Sequence, residues 1–223
     1  MALLDHTGQE GITREIWVVS AFLPEQDVVR LHDGTVISLE NTGFTLRFHL
    51  IGVGNIAAAD SLRGLLATAR DTCAEILFLG SAGAYVSGSR GFVLAHSFGQ
   101  KELAVLEGRA VQPGAMPTLF ETAQGPLARA LAQGSDLAPG KVNCPGALSL
   151  VDPGDVSWTH ENLECAGLAY VASSMQLPFA ALLAVTNAVG PQGSKEWQAN
   201  HKEMGRTLQL RLKKTILEHK KSQ

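Results

Sequence analysis

Apolar residues along this chain fall into two patterns, short unbroken runs and longer stretches with helical spacing, and the two alternate. The strongest run, residues 179–185 (FAALLAV), follows Pro178 and stops in Thr186-Asn187. Seven consecutive apolar residues between breakers predict a strand buried on both faces, and they are too few to span a membrane as a helix. Shorter runs at 16–21, 76–80 and 92–97 predict further strands, and 140–151 contains another. Residues 35–40 and 44–52 read as a hairpin turning at Asn41-Thr42-Gly43.

Helical spacing takes over between the runs. Asn55 suits an N-cap, and Ala58, Leu62, Leu65, Leu66 and Ala69 then share one face. Residues 120–133 read as a helix. Asn162 leads into another over 165–175, with Cys165, Leu168, Ala169, Ala172 and Met175 on one side. The last helix runs from about 195 to 220, where Met204, Leu208, Leu212 and Ile216 repeat every four residues. Pro24, Glu25 and Asp27 suit the first turn of a brief helix after the first strand. Between 99 and 117 no period stands out. Strands alternating with helices predict one α/β domain over 1–223.

Composition narrows the class without choosing a function. At 223 residues, 45% hydrophobic and 17% charged, the chain is an ordinary globular sequence. A net charge of -3 argues against nucleic acid or an anionic membrane as a partner. Cys73, Cys144 and Cys165 are odd in number and widely spaced, as buried thiols of a reducing compartment are, so neither a disulfide framework nor a metal site is expected. The first residues lack a basic segment followed by an apolar core, and the expected location is cytoplasmic.

Candidate chemistry lies where predicted strands end. Ser81-Ala82-Gly83 after one strand could set a hydroxyl and backbone N–H groups against a small ligand, and is equally an ordinary tight turn. No dinucleotide or triphosphate loop is spelled by Gly52/Gly54 or Gly80/Gly83. Glu164, at a helix start in NLECAGLA, could accept from two neighbouring hydroxyls and stay ionised there, or merely complement the helix dipole. Glu25 could deprotonate a water beside a sugar, or be an exposed loop glutamate. His96 and His160 have no partner at metal or triad spacing and read as structural or rim residues. Thr186-Asn187 closes the most buried strand, where open α/β sheets place ligands, or simply caps it.

These segments, taken together, resemble the nucleoside phosphorylase/nucleosidase superfamily over nearly the whole chain. IWVVSAFLPEQDV resembles the first strand and catalytic-glutamate loop of methylthioadenosine/S-adenosylhomocysteine nucleosidases, with Glu25 on the base. FLGSAGAYVSGSRGFVLA resembles their serine loop through Ser81, Ala82 and Gly83. NLECAGLAYVASSMQLPF resembles their Met-Glu helix, with Leu163 for Met and Glu164 for the ribose-binding Glu. Their Ser-Asp is here Thr186-Asn187, and VTNAVGPQGSKEW resembles futalosine hydrolases more closely, with Gln192 and Gly193 in place of an Arg and an Asp.

What the resemblance implies is a three-layer α/β sandwich with a central mixed sheet, phosphorylase/hydrolase-like, and an N-ribosyl hydrolase acting on a small nucleoside without metal or organic cofactor. Glu25 and Asn187 would be the catalytic pair; Ser81, Ala82, Gly83, Leu163, Glu164 and Thr186 would bind substrate. An amide in place of Asp offers N–H donors suited to a 6-oxopurine such as hypoxanthine. A homo-oligomer, dimer or higher, is implied because such enzymes complete their site from a neighbour. Three alternatives stay open: a purine nucleoside phosphorylase, for which Arg90 is the loop arginine nearest Ser81 in sequence, a methylthioadenosine/S-adenosylhomocysteine nucleosidase, and a nucleoside-binding protein without turnover.

Overall fold

A computed structural model describes residues 14–22, 25, 36–39, 44–86, 88–114, 118–134, 136–151 and 157–219. The expected turn at 41–43 and all of the expected helix around 24–27 except Glu25 lie outside these residues. In chain order the elements are β1 (Arg14–Ser20), β2 (Val36–Leu39), β3 (Phe44–Leu50), α1 (Asn55–Ala69), β4 (Cys73–Ala84), β5 (Gly91–Gly99), α2 (Leu103–Leu106), β6 (Leu119–Glu121), α3 (Pro126–Gly134), β7 (Ala138–Asn143), β8 (His160–Glu161), α4 (Cys165–Ser174), β9 (Phe179–Ala188) and α5 (Gly193–His219).

The strands form one mixed sheet in the order β2-β3-β1-β4-β8-β7-β5-β6. β9 runs parallel to β4 on one side and antiparallel to β5 on the other, so β4, β8, β7, β5 and β9 close into a ring. Being paired on both edges and covered on both faces is what the unbroken apolar run of β9 serves. Phe179, Ala181, Leu183 and Val185 pack with Ala58, Leu62 and Leu66 of α1 and Leu168, Ala169 and Ala172 of α4. Ala180, Leu182 and Ala184 pack instead with Leu127 and Leu131 of α3 and Leu208 and Leu212 of α5. The period-two alternation of one strand thus feeds both helical layers of a three-layer α/β sandwich.

Several expected boundaries change. Residues 120–133 are not one helix: Phe120 lies in edge strand β6, paired antiparallel to β5, and the helix starts only at Pro126. Pro at a first helical position needs no N–H there. The N-cap of α1 is Gly54, not Asn55. Asn55 turns outward from its own helix, donating to the Cys144 carbonyl at 2.8 Å and accepting from the Gly167 N–H at 2.9 Å. β9 does not stop at Val185 but runs on through Thr186, Asn187 and Ala188. The three cysteines are free and buried. No helix among the described residues is long and apolar enough to cross a membrane.

Candidate active site

The C-terminal ends of β1, β4 and β9, the start of α4 and the first turns of α5 surround a cavity of about 330 Å³. Glu25, Ser81, Ala82, Gly83, Leu163, Glu164 and Asn187 all line it, although they come from four separate stretches of sequence. Thr186, the remaining candidate, does not. It lines a second cavity of about 360 Å³ with Arg90 and Glu196.

Glu25 and Glu164 stand at one end. Glu25 accepts from the Ala21 N–H at 3.1 Å, so the end of β1 fixes its carboxylate. Burial first, then the neighbouring Glu164 charge, push the Glu25 carboxyl up to about 8, against backbone N–H groups of Ala21, Phe22 and Ser81 that favour the ionised form. Glu164 is held from two sides. Its Oε1 accepts from the Gly54 N–H at 3.0 Å and its Oε2 from Asn162 Nδ2 at 2.8 Å. Burial raises its carboxyl above the ordinary value while these donors oppose the shift, so the helix start does not dominate as the sequence suggested. Asn162 organises the whole turn: its Oδ1 accepts from the N–H groups of Glu164 and Cys165, and its Nδ2 also reaches the Ser81 carbonyl. A carboxylate offers about four lone-pair positions, and two of those on Glu164 remain for a ligand.

The wall between the two ends is Ser81-Ala82-Gly83 of β4 and the indole of Trp197. Trp197 Nε1 donates to Ser81 Oγ at 3.1 Å, and its ring stacks on His201 with centroids 4.1 Å apart at an interplanar angle of 9°. His201 is anchored in turn, its Nδ1 lying 2.9 Å from the Trp197 carbonyl.

At the far end, pairing between β4 and β9 slips by one residue between Ala82 and Gly83. Val185 faces Ala82 and Asn187 faces Gly83, which leaves Thr186 with no partner opposite. Such a slip re-aims the side chains that follow. Thr186 Oγ1 then lies 2.9 Å from Asn187 Oδ1, and Asn187 Nδ2 donates to the Ala188 carbonyl at 2.9 Å. One of the two amide N–H donors is therefore spent inside the protein and one is left. The amide also fits between two glycines: a Cβ on Gly83 would meet Asn187 Nδ2 at 2.8 Å, and one on Gly193 would meet it at 3.2 Å.

The architecture matches solved structures along nearly its full length. A Helicobacter pylori 5'-methylthioadenosine/S-adenosylhomocysteine nucleosidase is 15% identical, with 92% of this chain and 99% of that one covered and a TM-score of 0.74. The futalosine hydrolase of Helicobacter pylori is 14% identical over 93% of this chain and 98% of that one, also at 0.74. A Colwellia psychrerythraea methylthioadenosine/S-adenosylhomocysteine nucleosidase in complex with adenine is 16% identical over 92% and 95%, at 0.70. The chain shares the fold of these nucleosidase and hydrolase structures. No family profile matches the chain, and no curated protein matches it by sequence.

Within that fold, several cavity residues escaped the sequence reading. Asn162 was read only as leading into α4, and Trp197 only as part of a longer motif. Glu161, buried at 5% exposure, also lines the cavity. Its partners, Tyr85 and Ser149, lie 76 and 12 residues away, so no local pattern announces it. Of the histidines, His160 is pushed down to about 4 by burial and lies 2.8 Å from Thr159 Oγ1, and His96 lies 3.4 Å from Gln124 Nε2. Neither lines the cavity.

Proposed function

We propose that the protein hydrolyses the N-glycosidic bond of a purine nucleoside with a 6-oxo base, most like a futalosine-type substrate, and releases hypoxanthine. The observation that carries this is the juxtaposition of Glu25 and Glu164 in one cavity with Asn187. Cleavage breaks the bond from the anomeric carbon to the base nitrogen, whose electron pair leaves with the base. The sugar passes through an oxocarbenium-like state, and a water oxygen bonds to the anomeric carbon while its proton goes to Glu25. Glu164 holds the ribose hydroxyls with its two remaining acceptor positions. Ser81, Ala82, Gly83 and Leu163 line the sugar, and Thr186 acts through the Asn187 amide rather than on the ligand.

Two buried carboxylates make a poor phosphate site, and the cavity's described lining has no Lys or Arg. Arg90, the cation a phosphorylase reading would need, lines the other cavity. Leu148 and Leu150 line the cavity while 58% and 63% exposed, which suits a site that a second copy of the chain completes. A methylthioadenosine-type activity is the second reading, favoured by the same likeness in fold to nucleosidases of that name.

The test is a nucleoside panel with and without inorganic phosphate, following free base and the sugar product. The expected result is hypoxanthine and free sugar from a 6-oxopurine nucleoside without phosphate. A phosphate requirement with sugar phosphate as product overturns hydrolysis. Adenine release with inert inosine-type substrates overturns the base assignment, and no release from any member leaves a binding protein.

A further inference from the structure

Resting on that reading, the geometry points to His201 as a proton relay behind Glu25. Through one water held in a small cavity, its ring carries away the proton that Glu25 takes from the attacking water. Phe22, Glu25, Ser81 and Trp197 line the main cavity and, on their other side, a smaller one of about 20 Å³. His201 lines only the smaller one. That volume is about what a single water needs. Ala184 and Leu208 belong to its apolar wall, and the side chains that could bond a water there are Glu25, Ser81 and His201.

Hydrogen bonding sets what each of the three presents. Glu25 Oε2 accepts from the Ala21 N–H at 3.1 Å. Its Oε1 lies over Gly80, where a Cβ would come within 3.5 Å of it, and Gly80 lines the small cavity. Ser81 Oγ accepts from Trp197 Nε1 at 3.1 Å, which leaves the hydroxyl hydrogen to be donated. A carbonyl can only accept, so the 2.9 Å contact of His201 Nδ1 with the Trp197 carbonyl puts a hydrogen on Nδ1. In the neutral ring Nε2 then carries the lone pair. Stacking on Trp197, with centroids 4.1 Å apart, fixes the ring. His201 is half-buried, so it meets both the small cavity and solvent. Glu25 and His201 are the titratable side chains in the described lining of that cavity.

Turnover requires Glu25 to lose the proton it has gained before it can act again, and a sugar in the main cavity stands on one side of it. The small cavity opens the other side. Glu25 gives its proton to the water there, and the same water gives one of its own to His201 Nε2. The water is unchanged, Glu25 is again a carboxylate, and the imidazolium releases one proton to solvent. An ordinary histidine titrates near neutral pH, so such a ring both takes and releases a proton readily.

Two variants separate a relay from a prop. His201→Gln keeps a hydrogen-bonding side chain that cannot take up a proton, and His201→Phe keeps a ring to stack on Trp197. Base release from a 6-oxopurine nucleoside is followed through the first turnover by rapid quench, and in the steady state at low buffer with and without added imidazole. In both variants the first turnover is expected at about the wild-type rate, because Glu25 begins it ionised. Steady-state kcat at low buffer should fall at least about tenfold and return with imidazole, while wild-type kcat ignores the buffer. Wild-type kcat at low buffer in a folded His201→Gln overturns the relay. A loss already present in the first turnover, and not restored by imidazole in either variant, makes His201 a support for Trp197 and overturns it equally. In both cases phosphate-free release by the wild type would persist, so the hydrolase reading would survive. Absence of release by the wild type overturns that reading and this inference together.

Discussion

Three glutamates line one cavity, and the two ends of that cavity treat them differently. At the Asn187 end Glu161 receives two hydroxyls and a backbone N–H from neighbouring loops and strands. At the other end Glu25 is held by backbone N–H groups, beside a second carboxylate that repels its charge. The three donors fix where the Glu161 oxygens sit. Glu25 has backbone donors too, but the like charge of Glu164 adds to its burial, so its carboxyl is poised to take up a proton at near-neutral pH, as activating a water would require. Glu164, the like charge beside Glu25, is itself held by the Gly54 N–H on one oxygen and Asn162 Nδ2 on the other.

The sharpest way to break this contrast is Glu25→Gln. Loss of a general base should lower kcat by roughly a hundred- to ten-thousandfold with little change in KM. A change confined to KM would make Glu25 a binding residue and erase the distinction from Glu164. Next in size is Asn187→Asp at the other end. An ionised Asp would set lone pairs against the carbonyl edge of a 6-oxopurine, so the ratio of kcat/KM for matched inosine-type and adenosine-type substrates should drop about ten- to a hundredfold. An unchanged ratio would reduce Asn187 to a strand-end cap.

How much of this the sequence disclosed follows from how local each feature is. The runs that became β1, β4 and β9 were readable because strands buried on both faces need apolar residues at every position. α1, α4 and α5 were readable from one-sided spacing confirmed by burial of Leu62, Leu66, Leu168, Leu208 and Leu212. β6 and α3 were merged because Phe120 belongs to a strand only through β5, a pairing no local period reveals. Asn55 looked like a cap because its actual partners are 89 and 112 residues away. Thr186 and Asn187 were read together as ligand contacts, yet past the register slip opposite Gly83 only Asn187 reaches the cavity of Glu25 and Glu164, while Thr186 lines only the second cavity. Glu25, Ser81 and Glu164 could be named from resemblance, whereas the contrast between their environments exists only in three dimensions.

A smaller effect sharpens the Glu25 end. Gly54 donates to Glu164 from a backbone at φ 89°, ψ 156°, a region that residues with a Cβ rarely occupy. Gly54→Ala should cost about 1–3 kcal/mol of stability and raise KM more than it lowers kcat. Thermal unfolding together with steady-state kinetics checks both; a wild-type KM would mean that this N–H does not set the Glu164 carboxylate.

The pH dependence of kcat/KM for phosphate-free hypoxanthine release, compared between wild type and Glu25→Gln, addresses the central claim most directly. Glu25 is pushed from an ordinary 4.5 up to about 8, so the native state holds its proton more tightly than the unfolded chain does. Its contribution to stability is accordingly complete below about 4.5 and lost as pH rises through about 8, while the ionised base that catalysis needs accumulates over the same upper range. The account predicts that wild-type kcat/KM climbs with pH to an inflection near 8, and that the residual activity of Glu25→Gln lacks this inflection. The same inflection persisting in Glu25→Gln, or a wild-type profile flat through that range, would contradict it.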